Sequence, residues 1–261
     1  MSVREKIVRY YRGTEGAEVA AKILDAAEIV NKNRKYKICD FLDPYGLSVA
    51  ETVIAHFPNL KFIAEGGYCG AERQRGAIMH EDFLGDIDFA LTVLEVTWND
   101  KYHNLAHRDV LGSVLGLGIE RDVVGDILVR NDNCKIILAK EMASFVLQNL
   151  VQISNAGVSV AEGDLATIEP KEERCKEIKT TIASLRLDAV AAAGFGVSRS
   201  KISNDIDADK VKVNWQPAKS SSQVIKESDI ISMRGRGRIE IDEIRGQTKK
   251  GRISIVLKRF I

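Results

Sequence analysis

Hydrophobic positions along this chain follow two rhythms, three-to-four-residue steps and strict alternation, and their succession predicts a mixed α/β protein of more than one domain. "GAEVAAKILDAAEIVNKN" (16–33) places Val19, Ile23, Ala26, Ala27 and Val30 on one helical face. "KYKICDFLD" reads as a strand stopped by Pro44, "LSVAETVIAHF" as a second helix stopped by Pro58, and "LKFIAE" as a short strand. The glycine-rich "GGYCGAERQRG" (66–76) reads as a turn carrying Arg73 and Arg75.

The middle of the chain is more regular. "DFALTVLEVTW" (88–98) is strand-like and "HRDVLGSVLGL" (107–117) helical, while "GDILVR" and "KIILAK" flank a hairpin turn at "NDNC". "KEMASFVLQNLVQI" (140–153) reads as one helix and "GVSVAEGDLATI" as a final strand. Strand–helix–strand–strand–helix–strand is the split βαβ, ferredoxin-like order that RNA-recognition domains also use. "KIILA" lacks the aromatics of a base-stacking sheet, so RNA binding there would rest on charge or shape.

The last third carries "SLRLDAVAAAG", a short helix with Leu185, Val190 and Ala193 facing a core and Gly194 at the left-handed closing position. Ser198 is an N-cap for a second helix, "RSKISNDI". "KVKVN" and "SDIISM" read as strands, and in "RGRGRIEID" alternation puts Arg234, Arg236 and Arg238 on one face. The whole is α+β and multidomain: an N-terminal α/β region (1–80), a ferredoxin-like middle domain (81–170), a charged linker or helix (171–183) and a C-terminal α+β module (184–261).

Composition changes this picture in one respect. The 261 residues are 45% hydrophobic and 29% charged, ordinary for a soluble domain protein, and the net charge is +1. From residue 184 onward, however, 16 Lys/Arg stand against 9 Asp/Glu, a net of +7, while the preceding residues carry −6. A basic module meeting a polyanion fits that split, as does a solvated basic face. No apolar run nears the roughly 18 residues of a membrane span. The start has no secretory pattern, and the four cysteines form no C-x-x-C pair. A cytosolic monomer without membrane contact is expected.

Candidate chemistry concentrates at "GVSRSK" (196–201). The first turn of a helix is the positive end of its dipole, which disfavours the cations Arg199 and Lys201 there. A phosphate accepting from the first-turn N–H groups and the Ser198 and Ser200 hydroxyls would resolve the conflict; a solvated helix start with tolerated cations is the plain alternative. The "RGRGR" arginines fit an RNA-facing strand, a solvated edge or an arginine–glycine tail. His103 and His107 are four apart, but no third ligand accompanies them and no glutamate follows His103 to make a zinc-protease pattern. His107–Arg108–Asp109 spells a kinase tripeptide without the remaining kinase motifs. With no G-K-[ST] either, no cofactor or metal is expected.

At this point the sequence resembles a known family. "RLDAVAAAGFGVSRSKISNDI", "KVKVN" and "VIKESDIISM" are similar to the S4 RNA-binding domain, and "FLDPYG" (41–46), "GGYCGAERQR" (66–75) and "HRDVLGSVLGLGIERDVVGDILV" (107–129) resemble the YlmH family of bacterial RNA-binding proteins. The resemblance implies an RNA surface of Arg186, Ser198, Arg199, Ser200, Lys201, Asn204, Lys212 and Asn214, with Asp188 orienting an arginine. Arg73, Arg75, His107 and Arg108 stand as secondary contacts or as structural residues. The sequence departs from the S4 pattern where glycine is usual: Trp215 follows Asn214, "DADK" fills the turn before the strand, and Ser228 precedes Asp229. The expected function is non-catalytic binding of structured rRNA or tRNA on the ribosome, in translation or in handling stalled large subunits. Two alternatives stay open: an RNA-modifying enzyme targeted by its S4 domain, and a protein scaffold in cell division.

Overall fold

The computed structural model describes residues 2–169, 175–249 and 251–260. Its chain forms two compact units, residues 1–171 and 172–261.

The first unit opens on a helix absent from the sequence reading, α1 (Val3–Tyr11), started by a capping box between Ser2 and Glu5. The predicted helix follows as α2 (Ala17–Asn33), then β1 (Tyr36–Leu42), α3 (Pro44–Ile54) capped by Asp43, and β2 (Leu60–Glu65). The stretch taken as a turn ends in a strand, β3 (Gln74–His80), which sits between β1 and β2 in an antiparallel sheet. Ile23, Leu24, Val30, Val53 and Ile78 bury the helices against it.

β4 (Leu91–Thr97), α4 (His107–Gly116), β5 (Val124–Val129), β6 (Asn133–Ala139), α5 (Ala143–Asn149), the small hairpin β7 (Gln152–Ile153) and β8 (Ala156–Gly157), and β9 (Ser159–Glu162) follow. The sheet order β5-β6-β4-β9, antiparallel throughout, is the connectivity of a split βαβ unit. The single helix expected over 140–153 is instead a 3₁₀ turn, α5 and strand β7. Val146, Leu150 and Ile153 are all buried nonetheless, so the apolar spacing that imitated a longer helix serves one core. Leu94, Val96, Ile136 and Leu138 face the helices. On the other sheet face Val93 and Ile137 lie fully buried in a cluster with Phe41 and Ile168, so this part of that face offers no platform for bases.

The second unit corrects the expected linker. Residues 175–182 form a strand, β10 (Cys175–Ile182), whose Ile178, Thr180 and Ile182 alternate inward beneath a charged exterior. α6 (Leu187–Phe195), α7 (Arg199–Asp207), β11 (Val211–Val213), β12 (Gln216–Pro217), β13 (Ile230–Met233), β14 (Gly237–Gln247) and β15 (Ile253–Phe260) complete it. One antiparallel sheet, β10-β15-β14-β13-β11-β12, packs against both helices through Leu187, Val190, Phe195, Ile202, Ile231, Ile239 and Leu257. Gly194 is not the closing residue. It lies inside α6, where a Cβ would collide with Ile239, and the left-handed position belongs to Gly196 at φ 66°.

Candidate nucleic-acid interface

The α6–α7 pair gathers the family-matched cations around two buried carboxylates. Asp188, in the first turn of α6, is only 5% exposed. It accepts from Arg186 Nε and Nη2 at 3.2 and 3.1 Å, and from Arg199 Nη2 at 2.7 Å. Burial alone would push this carboxyl up. The hydrogen bonds from Arg186 and then Arg199 outweigh that, and it lies below the ordinary carboxylate range. Two guanidiniums thus share one carboxylate, leaving a net positive charge. Both arginines keep much of their side-chain surface in solvent.

A second carboxylate repeats the arrangement. Asp205, buried on the inner side of α7, faces Lys201 Nζ at 3.7 Å and Lys210 Nζ at 3.4 Å. Sequence reading missed Asp205, although its place beside Ile202 and Ile206 on a helix marks an inward carboxylate. Ser198 caps α7 by accepting the Lys201 amide at 3.3 Å, and its Oγ lies 3.1 Å from that of Ser200. The first turn contains no acidic residue. The exposed Ser198 and Ser200 hydroxyls thus stand at a positive helix end, with the Arg199 guanidinium held on Asp188 and the Lys201 ammonium directed along α7 towards Asp205. Hydroxyls, first-turn amides and cations of this kind are suited to a phosphate. Asn204 is exposed one turn further along.

Other predicted residues lie elsewhere. Val211 and Val213 enter the core, so Lys212 between them points to the helix-free face of the sheet. The Asn214 amide is committed internally: Nδ2 donates to Asp229 at 2.8 Å and Oδ1 accepts the Ile230 amide at 2.9 Å. Asn214 and Trp215, at φ 49° and 64°, form the two-residue bend between β11 and β12. Asp209 and Ser228 also have positive φ, 53° and 65°. All three departures from glycine thus keep the backbone that glycine would adopt.

Arg234, Arg236 and Arg238, expected on one face of a strand, do not share one. Arg234 and Arg236 occupy the turn joining β13 to β14, where Gly235 and Gly237 have φ near 80° and the Arg236 amide bonds back to Met233. Only Arg238 is in the strand, and its guanidinium stacks on Phe260 at 4.7 Å. Alternating glycines made turn residues imitate a strand pattern.

The upstream arginines belong to the interior. Arg73 donates to the carbonyls of Val124, Phe41 and Arg121, and burial draws its guanidinium below its ordinary value. Arg75 is 8% exposed; it donates to the carbonyls of Cys39, Phe89 and Ala90 and pairs with Glu141 at 2.5 Å. Asp126 accepts from the Tyr68 hydroxyl and the Glu72 and Arg73 amides. The three upstream motifs therefore meet as a polar hub that fixes the fold, in which the guanidiniums of Arg73 and Arg75 are engaged by backbone carbonyls and Glu141. His107 opens α4 while His103 precedes it in a turn, so they share no helical face. Burial, then Arg121, lowers the His107 pKa. Asp109 closes the helix start on the Ala106 amide, and Arg108 projects into solvent. Among the described residues no group of His, Cys, Asp and Glu could hold a metal ion, and no helix is long and apolar enough to cross a membrane.

Comparison with known proteins places these features. Residues 15–83 match the N-terminal domain of YlmH, residues 85–167 the RNA-binding domain of YlmH, and residues 185–231 the S4 domain. A Bacillus subtilis (strain 168) protein, "Ribosome-associated protein quality control protein P2", is 32% identical over 255 residues, covering 97% of this chain and 98% of its own. The structure titled "Cell division protein ylmH from Streptococcus pneumoniae" shares the fold, with TM-score 0.51 at 23% identity over 59% of this chain and 95% of that one. Three matching domains in order and a relative aligned almost end to end establish that the chain belongs to the YlmH family of RNA-binding-domain proteins with a C-terminal S4 domain.

Proposed function

We propose that this chain is a non-catalytic, cytosolic RNA-binding protein that docks on structured rRNA or tRNA at the ribosome and serves ribosome-associated quality control. The observation that carries this reading is the pair of guanidiniums, Arg186 and Arg199, fixed by buried Asp188 beside the serine-lined start of α7. Such groups recognise backbone phosphate and RNA shape rather than base sequence. The quality-control assignment follows the name of the Bacillus subtilis relative.

Crosslinking in cells, followed by sequencing of the bound RNA, tests the reading. Enriched rRNA or tRNA is expected; recovery of no RNA above background would overturn it. With purified protein and about five phosphates neutralised, log K against log salt falls with a slope of about −3.5 to −4.5. The Arg199→Glu/Lys201→Glu variant should lose most RNA binding while keeping its circular dichroism. Undiminished binding by that folded variant would remove the α7 start from the interface.

A further inference from the structure

We propose a second RNA contact at the far end of the C-terminal sheet, a cleft in which Lys176, Arg236 and Arg259 hold a backbone phosphate segment. The proposal rests on the RNA-binding reading and adds a site to it. An open cleft of about 780 Å³ is bounded by Lys176 on β10, the Gly235–Arg236–Gly237 turn, and Arg259 and Phe260 on β15. All of these residues fall outside the segment that matches the S4 domain.

Among the described residues no carboxylate pairs with the charges in this cleft. Lys176 and Arg259 are directly opposite each other in the β10–β15 ladder, which sets two cations side by side on one face. Like charges in that relation destabilise a sheet. Among the described residues Lys176, Arg236 and Arg259 form no ion pair, and Arg259 has only the Phe195 ring, at 5.9 Å. Nearby cations do not share this condition: Lys258 pairs with Asp242 and Lys179 with Glu177. A fold that pairs its cations on adjacent positions, yet sets two of them against each other here, favours an anion between them.

The surroundings fit a polynucleotide. Arg236 stands at the tip of a turn flanked by two glycines, so no neighbouring side chain screens it from a strand. Phe260 lines the cleft, and the Arg238 guanidinium stacks on its ring at 4.7 Å. Three cations spread over two strands and a turn match successive phosphates along a backbone better than one small anion.

The test measures binding of fluorescently labelled tRNA and large-subunit rRNA fragments to the full chain and to its Lys176→Ala/Arg236→Ala variant. The expected result is affinity lowered about five- to tenfold at 0.1 M salt, with a salt slope shallower by about 1.5, as for two lost phosphate contacts. The melting temperature should hold or rise, because like-charge repulsion is relieved. The charge-keeping Lys176→Arg/Arg236→Lys variant should bind as the parent does. Parent-like affinity and slope in the alanine variant, alongside an impaired Arg199→Glu/Lys201→Glu variant, would overturn this contact alone. A parent chain that binds neither RNA would overturn the wider reading with it. Poly-L-glutamate competing as effectively as RNA would assign the cleft to an acidic protein and overturn the proposal.

Discussion

Asp188 shows how one residue decides the behaviour of its neighbours. Simple Coulomb reasoning says that removing an anion beside an RNA site should tighten binding. Here the anion holds Arg186 and Arg199 in place at 3.1 and 2.7 Å, so its removal releases both guanidiniums. Asp188→Asn should therefore weaken RNA binding while costing about 1.5–3 kcal/mol of stability, the range for hydrogen bonds to a charged group. Affinity measurement at fixed salt, with urea unfolding, reads both; tighter binding would show that Asp188 does not position the arginines. The pH dependence has a definite sign. A carboxyl depressed on folding stabilises the fold above its unfolded value of about 3.9, and that stabilisation is lost as pH falls through the lower folded value. Carbon-detected titration should find the Asp188 midpoint below that of an ordinary aspartate. Ser228 is the complementary case. It holds φ 65° on an exposed turn, a conformation that costs an L-residue about 1–2 kcal/mol and glycine very little. After glycine's entropy cost, Ser228→Gly should stabilise by about 0.5–1 kcal/mol in thermal melts.

At the scale of elements, the two glycines of α6 have opposite reasons to be glycine. Gly194→Ala drives a methyl into Ile239 across the helix–sheet contact and should destabilise by about 1–3 kcal/mol in urea unfolding. Gly196 has open space around it and resists substitution only through its left-handed backbone, so Gly196→Ala should cost about 1–2 kcal/mol. The difference explains what could be read from the sequence. α2, α3, α4 and α7 were legible because apolar spacing and the Ser198 cap are local rules, although the Asp43 cap that starts α3 at Pro44 was read as the end of a strand. β3 and β10 were not, since Gly76 disguised one as a turn and the Lys and Glu residues of "CKEIKTTI" disguised the other as a linker. At the site, the start of α7 was visible as a local breach of dipole preference. The interior roles of Arg73 and Arg75 were not visible, because their partners are backbone carbonyls of residues distant in sequence, among them Phe41 and Cys39.

At the scale of the molecule, charge and architecture divide at the same place. Residues 172–183 carry three basic and three acidic side chains, so the C-terminal unit keeps the net of +7 counted from residue 184. β10 therefore adds no net charge, but it adds structure: eight of its residues pair with β15, from Cys175↔Phe260 to Ile182↔Ile253. Without it, β15 becomes an exposed edge carrying Ile253, Ile255 and Leu257, an invitation to pair with another chain. It would also remove Lys176 from the cleft at the end of the sheet. A fragment of residues 172–261 should fold cooperatively and retain most of the RNA affinity and salt slope of the full chain. A fragment of residues 184–261, although it contains the whole S4 match, should melt at lower temperature and self-associate. Circular dichroism melts and size-exclusion chromatography separate the two outcomes. Equal melting temperatures and a monomeric shorter fragment would show that β10 is dispensable and that the S4 core stabilises its own edge.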